Sequence, residues 1–425
     1  MHEKFSSRSL VYVSVILLLT GCKKNEPPPV GPTPPQPTDT NWVTHSQLDI
    51  PWPGLANSAW PMVNHDPQHT GRSPYRGPQQ GKVDWLFNAG FIIYTTPVID
   101  QDGTVYIGSF NRYFYAVTPS GSLKWQSYGG GSDSSPLIAS DGSIYCFGGG
   151  ASQVYTYVYS YDRNGNLNWQ FIVDEYESYS SLAISKDGQT IYLAAAHLFA
   201  LGKDGTLRWK LLPDSTDKCH YSLAISPDGA TLYVPGFKAL YAVDTSGTLR
   251  WKFHGPNTDV HGPTSNPAVD NDGNIYVGVV PDQVYSFSPS GAARWQRGGI
   301  NWGPEFPGPV IGRDGTIYIT GRALYAMDYA GKLKWKIDMS LMSQCVPAID
   351  IDGTLYFGRS TEKSNAADSI NFMAVNPNGT VRFQMSLRSP DGTIPDIDSN
   401  PSISSDGKIY VGSDYPHGFH LYKIK

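Results

Sequence analysis

The sequence contains few cysteines and few charged residues. Only four of its 425 residues are cysteine, namely Cys22, Cys146, Cys219 and Cys345. The last three lie far apart and without motif spacing, which disfavours a disulfide framework or a zinc site and predicts buried free thiols. Charged residues make up 16% of the chain, and 32 basic against 37 acidic side chains leave a net charge of −5. With no basic surplus, nucleic acid is not expected as a partner.

Hydrophobic runs are also scarce, and the one at the N-terminus is short. Residues 10–19 are apolar and follow the basic Lys4 and Arg8. A run of this length is too short to span a bilayer comfortably and is typical of a cleaved secretory signal. It ends in Leu-Thr-Gly-Cys at residues 19–22, which resembles a bacterial lipobox. We therefore expect removal of residues 1–21 and lipidation of Cys22; the alternative is a membrane anchor followed by an unrelated cysteine.

Proline dominates the segment after Cys22. Residues 27–37 include seven prolines, which prevents a helix or a central strand and favours an extended chain. At ~3.1 Å per residue, residues 22–41 would place the folded part up to ~60 Å from a membrane. We expect residues 42–80 to form an irregular strap, and residues 81–425 to form the folded domain.

The folded domain consists of repeats. One half of each repeat is Pro-x-Ile/Val, a short spacer, Asp-Gly and then an aliphatic residue followed by tyrosine, which predicts a tight β-hairpin. Its eight Asp-Gly pairs begin at Asp102, Asp141, Asp187, Asp228, Asp272, Asp314, Asp352 and Asp406. The other half is a strand, a turn glycine and an aromatic residue four positions later. These aromatic residues are Trp85, Trp125, Trp169, Trp209, Trp251, Trp295, Trp335 and Phe383.

At each end of the chain, one half of a repeat occurs without the other half. Trp85 precedes the first Asp-Gly hairpin, whereas the last repeat stops at residues 421–425, one strand short. The strand around residues 83–87 is therefore expected to complete the last repeat, as a closed ring without exposed sheet edges requires. The spacing of 40 to 48 residues between aromatic positions matches one four-stranded blade. We predict an all-β, eight-bladed β-propeller, with the eight aromatic residues packed between neighbouring blades.

The repeat resembles a known family. Residues 242–251 and 326–335 are similar to the tryptophan-docking motif of pyrroloquinoline-quinone-type propellers, and residues 116–125 and 160–169 match it with one substitution each. That family includes quinone-dependent dehydrogenases and non-enzymatic lipoproteins, so the resemblance implies the fold more strongly than the function. The dehydrogenases have adjacent cysteines and long insertions, which this chain lacks. No pyrroloquinoline quinone or other cofactor is expected.

In size, anchor and blade number, the chain resembles the propeller lipoproteins of the outer-membrane β-barrel assembly machinery. Residues 60–74 are unlike those proteins and resemble the N-terminal segment of extracellular propellers with the same repeats. We therefore expect a non-catalytic lipoprotein of the cell envelope, bound to a membrane by its lipid anchor and scaffolding a protein or glycan partner. The alternatives are a component of barrel assembly and a propeller enzyme that acts on a quinone or a glycan.

Polar residues that vary between repeats precede the predicted inner strands. Packing fixes the repeated positions, so the varied ones are free to bind a partner at the mouth of the central channel. These candidates are Tyr94, Asp133, Tyr179, His220, Asn266, Glu305, Gln344 and Asp398. The alternative is a water-filled channel without a ligand.

Two further groups have weaker chemical signals. His65, Asp66 and His69 would share a face if their segment were helical, which makes them weak metal-ligand candidates. Asp133 and Glu305 would form a pair of acids suited to glycoside hydrolysis if they met across the channel. The chain has no serine-nucleophile elbow, zinc-protease or phosphate-loop motif. No catalytic residue is therefore assigned.

Overall fold

Each repeat folds into an antiparallel sheet because its β-rich runs are joined by turns in which glycine adopts a positive φ. The Asp-Gly turn at Gly103, for example, has φ +77°, and the Gly103 N–H donates to the carbonyl of Asp100. The computed structural model describes residues 41–131, 134–149, 155–173, 180–255, 265–279, 282–300, 307–339, 342–360, 370–414 and 418–425. Within these residues, 32 strands form eight four-stranded sheets arranged as a propeller. The predicted fold class is confirmed.

The chain enters the ring through Val83–Asn88 (β1). The next four blades, each from the inner to the outer strand, are Val98–Ile99 (β2), Val105–Gly108 (β3), Tyr113–Val117 (β4) and Leu123–Tyr128 (β5); Leu137–Ile138 (β6), Ile144–Gly149 (β7), Thr156–Tyr161 (β8) and Leu167–Val173 (β9); Ala183–Ile184 (β10), Thr190–Ala194 (β11), Leu198–Gly202 (β12) and Leu207–Leu211 (β13); and Ala224–Ile225 (β14), Thr231–Pro235 (β15), Ala239–Asp244 (β16) and Leu249–His254 (β17).

The remaining strands complete the ring. They are Ala268–Val269 (β18), Ile275–Val279 (β19), Gln283–Phe287 (β20) and Ala293–Arg297 (β21); Val310–Ile311 (β22), Ile317–Ile319 (β23), Ala323–Met327 (β24) and Leu333–Asp338 (β25); Ala348–Ile349 (β26), Leu355–Gly358 (β27), Phe372–Val375 (β28) and Val381–Met385 (β29); and Ser402–Ile403 (β30), Ile409–Gly412 (β31) and His420–Ile424 (β32). The inner strands are fully buried, whereas outer strands such as β17 alternate between exposed and partly buried residues.

The last blade is shared between the two ends of the chain. Strand β1 pairs antiparallel with β32, from Val83 opposite Ile424 to Asn88 opposite His420. Trp85 thereby lies 5.7 Å from Tyr410 of the same blade, measured between ring centroids. The corresponding rings within one continuous blade, Trp251 and Tyr233, are 6.0 Å apart. The prediction that an N-terminal strand closes the ring is therefore confirmed.

The repeated tryptophans connect each blade to the next. Seven of them donate the indole N–H to a backbone carbonyl in the following blade, over 2.9 to 3.2 Å: Trp85 to Pro119, Trp125 to Arg163, Trp169 to Lys203, Trp209 to Thr245, Trp251 to Pro289, Trp295 to Tyr329 and Trp335 to Pro377. The indole also covers the turn glycine of that blade. A Cβ on Gly291 would lie 2.7 Å from Trp251, and one on Gly81 would lie 2.6 Å from Phe383, the eighth member.

The N-terminal strap, residues 42–80, covers part of the ring and also contributes buried side chains to its core. Its carbonyls accept hydrogen bonds from the inner strands of six blades: Trp60 from Ile99, Pro61 from Ile138, Pro67 from Ile225, Gln68 from Val269, Thr70 from Ile311 and Gly71 from Ile349. Only a segment near the axis can reach so many blades within twelve residues. Trp60, Met62 and Arg72 are correspondingly buried, each with at most 1% of its surface exposed.

Other features of the chain agree with a closed, fully packed ring. Cys146, Cys219 and Cys345 are free and buried, as predicted. The second strand of each blade carries a buried tyrosine: Tyr106, Tyr145, Tyr192, Tyr233, Tyr276, Tyr318, Tyr356 and Tyr410. No helix in the described part of the chain is long and apolar enough to cross a membrane. Cys22 and the proline-rich tether, residues 22–41, lie outside the described residues except for Asn41.

Candidate binding face of the ring

The two ends of the ring differ in what covers them. The strap lies at the end where the inner strands run into their Asp-Gly turns, because Gly54 of the strap contacts Gly188 and the carbonyl of His45 lies beside Gly315. The residues that precede the inner strands therefore lie at the opposite end. Together with the turns between the second and third strands of each blade, they form what we call the mouth.

Five of the eight predicted mouth residues are described. Tyr94, His220, Asn266, Gln344 and Asp398 belong to this group, whereas Asp133, Tyr179 and Glu305 lie outside the described residues. The acid pair proposed from Asp133 and Glu305 is therefore not placed. The five described residues do not share one environment. His220 and Asn266 have different roles, Tyr94 and Asp398 belong to one cluster, and Gln344 is partly buried.

His220 belongs to a small aromatic group at the mouth. Its ring stacks on Phe237 with 4.1 Å between centroids and an interplanar angle of 28°, and it meets Tyr221 edge to face at 4.6 Å. Burial lowers the pKa of His220 to about 4, so the imidazole is neutral at pH 7. Phe237 is 39% exposed. This group offers an apolar, uncharged contact surface with a planar stacking face.

Asn266 has a structural role that the sequence did not reveal. Its side-chain oxygen accepts the backbone N–H of Ser222 over 2.9 Å, which ties two neighbouring blades together. Residues at the same position in other blades accept the same kind of hydrogen bond from a neighbouring blade. Ser135 accepts from Thr96, Ser181 from Ser135, Ser222 from Ser181, and Asn400 from Val346. Asn266 therefore shares an inter-blade role with these residues, and it is also partly exposed.

Tyr94 and Asp398 come together in an acidic cluster that also includes Asp396 and Asp414. One carboxylate oxygen from each aspartate lies within 4.8 Å of those of the other two, and no other group of three or more such ligands occurs in the described residues. Tyr94 and Asp398 both hydrogen-bond to the Asp414 carboxyl group. Burial, followed by the charge of Asp396, raises the pKa of Asp414 to about 7.

The local chain path explains why the cluster forms. Asp396 and Asp398 flank Ile397, whose fully buried side chain packs over Gly358. Asp396 and Asp398, on either side of Ile397, are both partly exposed. Asp414 follows β31 and is held by its N–H, which donates to the carbonyl of Asp396 over 3.1 Å. Position alone pointed to Asp398, whereas Asp396 and Asp414 were missed because no local motif links their two loops.

Cys345 lies directly behind this cluster. Its thiol donates to the carbonyl of Ile397 over 3.1 Å and accepts the N–H of Gly358 over 3.0 Å. Burial, together with the nearby charges of Asp398 and Asp414, raises the pKa of the Cys345 thiol. The sulfur is therefore a protonated core group and offers no thiolate to the mouth.

The weak metal candidates in the strap are used to shape its turns. Their segment is not helical, since His65 and His69 have φ of +76° and +56°. The Asp66 carboxylate accepts the N–H groups of Gln68 and Thr70, and His69 Nδ1 lies 3.0 Å from the carbonyl of Pro267. Burial lowers the pKa of His69 to about 4. The helical face on which the metal interpretation depended is therefore absent from this part of the chain.

Comparison with known proteins supports the fold. No protein-family model matches the chain, and neither does any curated protein sequence. Among solved structures, the crystal structure of BamB from Moraxella catarrhalis matches with a TM-score of 0.61 and 12% sequence identity, covering 81% of this chain and 99% of that one. At this identity the match concerns the fold. The chain is similar to BamB in its β-propeller fold.

Proposed function

We propose that this protein is a lipid-anchored scaffold of the bacterial cell envelope, which binds a protein or glycan partner at the mouth of its ring and catalyses no reaction. The observation that carries the proposal is the difference between the two ends of the ring. The strap fills one end with buried side chains such as Trp60 and Met62. The mouth instead presents an aromatic group around His220 and an acidic cluster around Asp398, which repeat packing does not require.

A role in outer-membrane β-barrel assembly is the second candidate. It is favoured by the match to BamB, a propeller lipoprotein of the BAM complex, which covers nearly the whole of that protein. No quinone cofactor and no catalytic residue is part of either proposal. The reason lies in the sequence, which lacks adjacent cysteines and has short, regular spacing between blades.

The test is an affinity purification of the lipidated protein from its native envelope, using a double variant at the mouth and a double variant on an outer strand. The mouth variant combines His220→Ala with Phe237→Ala. The control combines Leu167→Ala with Ile172→Ala, two side chains of outer strand β9 that are 50% and 52% exposed. We expect the mouth variant to lose the partner that the parent and the control recover. Loss of that partner only in the control would place binding on the outer strands and contradict the proposal.

The identity of the recovered partner separates the candidates. Barrel-assembly proteins would support the second candidate, and a glycan or another envelope protein would support the first. Recovery of no partner by the parent would count against a scaffold.

Attachment to the membrane is tested separately by Cys22→Ser. The proline-rich tether offers no other anchor, so we expect this variant in the soluble fraction after cell lysis. If it stayed with membranes after a high-salt wash, Cys22 would not be the anchor.

A further inference from the structure

Three carboxylates lie closer together at the mouth than their charges favour. Asp396, Asp398 and Asp414 each place an oxygen within 4.8 Å of the other two. Like unit charges this close together repel one another at a protein surface. A cation bound among these three groups would relieve that repulsion.

A second observation shows that the arrangement is incomplete. Asp414 is only 2% exposed, and its Oδ1 has no hydrogen-bond partner in the described part of the chain. A buried carboxylate oxygen without a donor is costly, because it has lost its water and gained nothing in return. A bound cation would both neutralise the cluster and supply the missing contact.

The ligand set indicates the class of cation. All three groups are carboxylates, which hard cations such as Ca²⁺ prefer, and the nearest sulfur, on Cys345, is already hydrogen-bonded to Ile397 and Gly358. Asp396 and Asp398 are partly exposed, so water can complete the coordination shell. Ca²⁺ accepts the irregular geometry of loop ligands more readily than Mg²⁺, which requires a near-ideal octahedron.

We propose that Asp396, Asp398 and Asp414 bind one Ca²⁺ ion at the mouth of the ring. The site lies in the shared blade, and Tyr94, just after closing strand β1, reaches the same carboxyl group. An ion here would link the loop before β30 and the loop after β31 to the segment that follows β1. The proposal does not depend on the partner discussed above, so either can fail without the other.

The test uses the full lipidated chain in detergent, stripped with a chelator at pH 7.5 and titrated with CaCl2, MgCl2, MnCl2 or ZnCl2. Calorimetry measures binding, and thermal unfolding measures the shift in Tm. We expect saturable Ca²⁺ binding with one ion per chain and a Tm that rises with Ca²⁺ concentration. Binding of Mg²⁺ or Mn²⁺ that is weaker than binding of Ca²⁺ also supports the proposal. No binding of Ca²⁺, or binding of Zn²⁺ alone, overturns it.

Two variants and one control locate the site. Asp414→Asn and Asp396→Asn should each lower Ca²⁺ affinity at least about tenfold, because affinity in such sites depends on the number of charged ligands. Without Ca²⁺, Asp414→Asn should not lower Tm, since it removes a buried charge that the neighbouring Asp396 repels. The control, Asp338→Asn, removes a charge that is 79% exposed on β25 and should leave Ca²⁺ affinity unchanged. Unchanged affinity in both cluster variants would move the ion elsewhere and overturn the assignment.

Discussion

The contact between a tryptophan and the glycine of the next blade can be tested at a single position, Gly291. This glycine has φ +84°, and its N–H closes a turn to the carbonyl of Ser288. Replacing it with alanine has two separable effects. It imposes a left-handed conformation on a residue with a side chain, and it places a Cβ 2.7 Å from Trp251. Gly392 provides the control, because it has φ +88° in the same type of turn, closed to Ser389, and a Cβ there would meet nothing within 4 Å.

The expected magnitudes follow from these two effects. The left-handed conformation costs a residue with a Cβ about 1–2 kcal/mol, and both variants bear this cost. Contacts between carbon atoms are favourable at about 3.5–4.0 Å, so Trp251 must shift, and overpacking of this kind costs about 1–3 kcal/mol. The indole resists the shift because it donates to Pro289 over 2.9 Å. We expect Gly291→Ala to lower the free energy of unfolding by about 1–3 kcal/mol more than Gly392→Ala does.

The assay is denaturant unfolding followed by circular dichroism, comparing midpoints between variants with equal slopes. A third variant isolates the contact. Trp251→Ala is itself expected to cost about 2–4 kcal/mol, at the low end for tryptophan because the side chain is partly exposed. In that background, Gly291→Ala should cost no more than Gly392→Ala. Equal destabilisation by the two glycine variants in the parent protein would refute the reasoning, since the Trp251 contact would then contribute nothing.

Three other predictions follow from the closure, the strap and the acidic cluster. Replacing residues 83–88, and with them β1, by a glycine-serine linker of the same length should produce aggregation that the same replacement at residues 30–35 of the tether does not, measured by light scattering, because β32 then lacks its partner. Trp60→Ala should cost about 3–5 kcal/mol in denaturant unfolding, since this strap side chain is fully buried; a loss below 1 kcal/mol would show that the strap only covers the ring. Without divalent cations, the free energy of unfolding should fall as pH rises from about 4 to about 7. The reason is that burial and the neighbouring Asp396 raise the pKa of Asp414 from 3.8 to about 7. In this pH range the folded state therefore binds a proton that the unfolded state has lost. Asp414→Asn should flatten that part of the profile, and an unchanged slope would show that Asp414 does not hold the proton.

The ring itself could be predicted because its determinants are local and repeated. Each Asp-Gly turn and each turn glycine lies a fixed number of residues from its strands, so eight copies reinforce one interpretation. The shared blade followed from counting, since Trp85 comes before the first hairpin and the chain stops one strand short. These signals depend on sequence spacing, which the fold preserves.

The mouth was harder to predict, because its contacts join residues that are far apart in the sequence. Asp414 meets Asp396 only because β31 returns the chain to the loop before β30. The inter-blade hydrogen bond of Asn266 was not predicted, because a serine makes the equivalent bond in the preceding blade and the two residue types differ in sequence. The sequence of the strap has no repeat, so it contains no pattern from which its path near the axis of the ring could be predicted.

The shared blade also constrains when the protein can fold. Strand β1 is the first strand of the ring to be synthesised, yet its partner β32 is the last. The growing chain must therefore keep β1 unpaired until β32 has been synthesised. A contact of such high sequence separation favours slow folding. A chain interrupted anywhere before β32 cannot close, and it keeps an open sheet edge that chaperones or proteases can recognise. Closure of the ring thus depends on the synthesis of all eight blades.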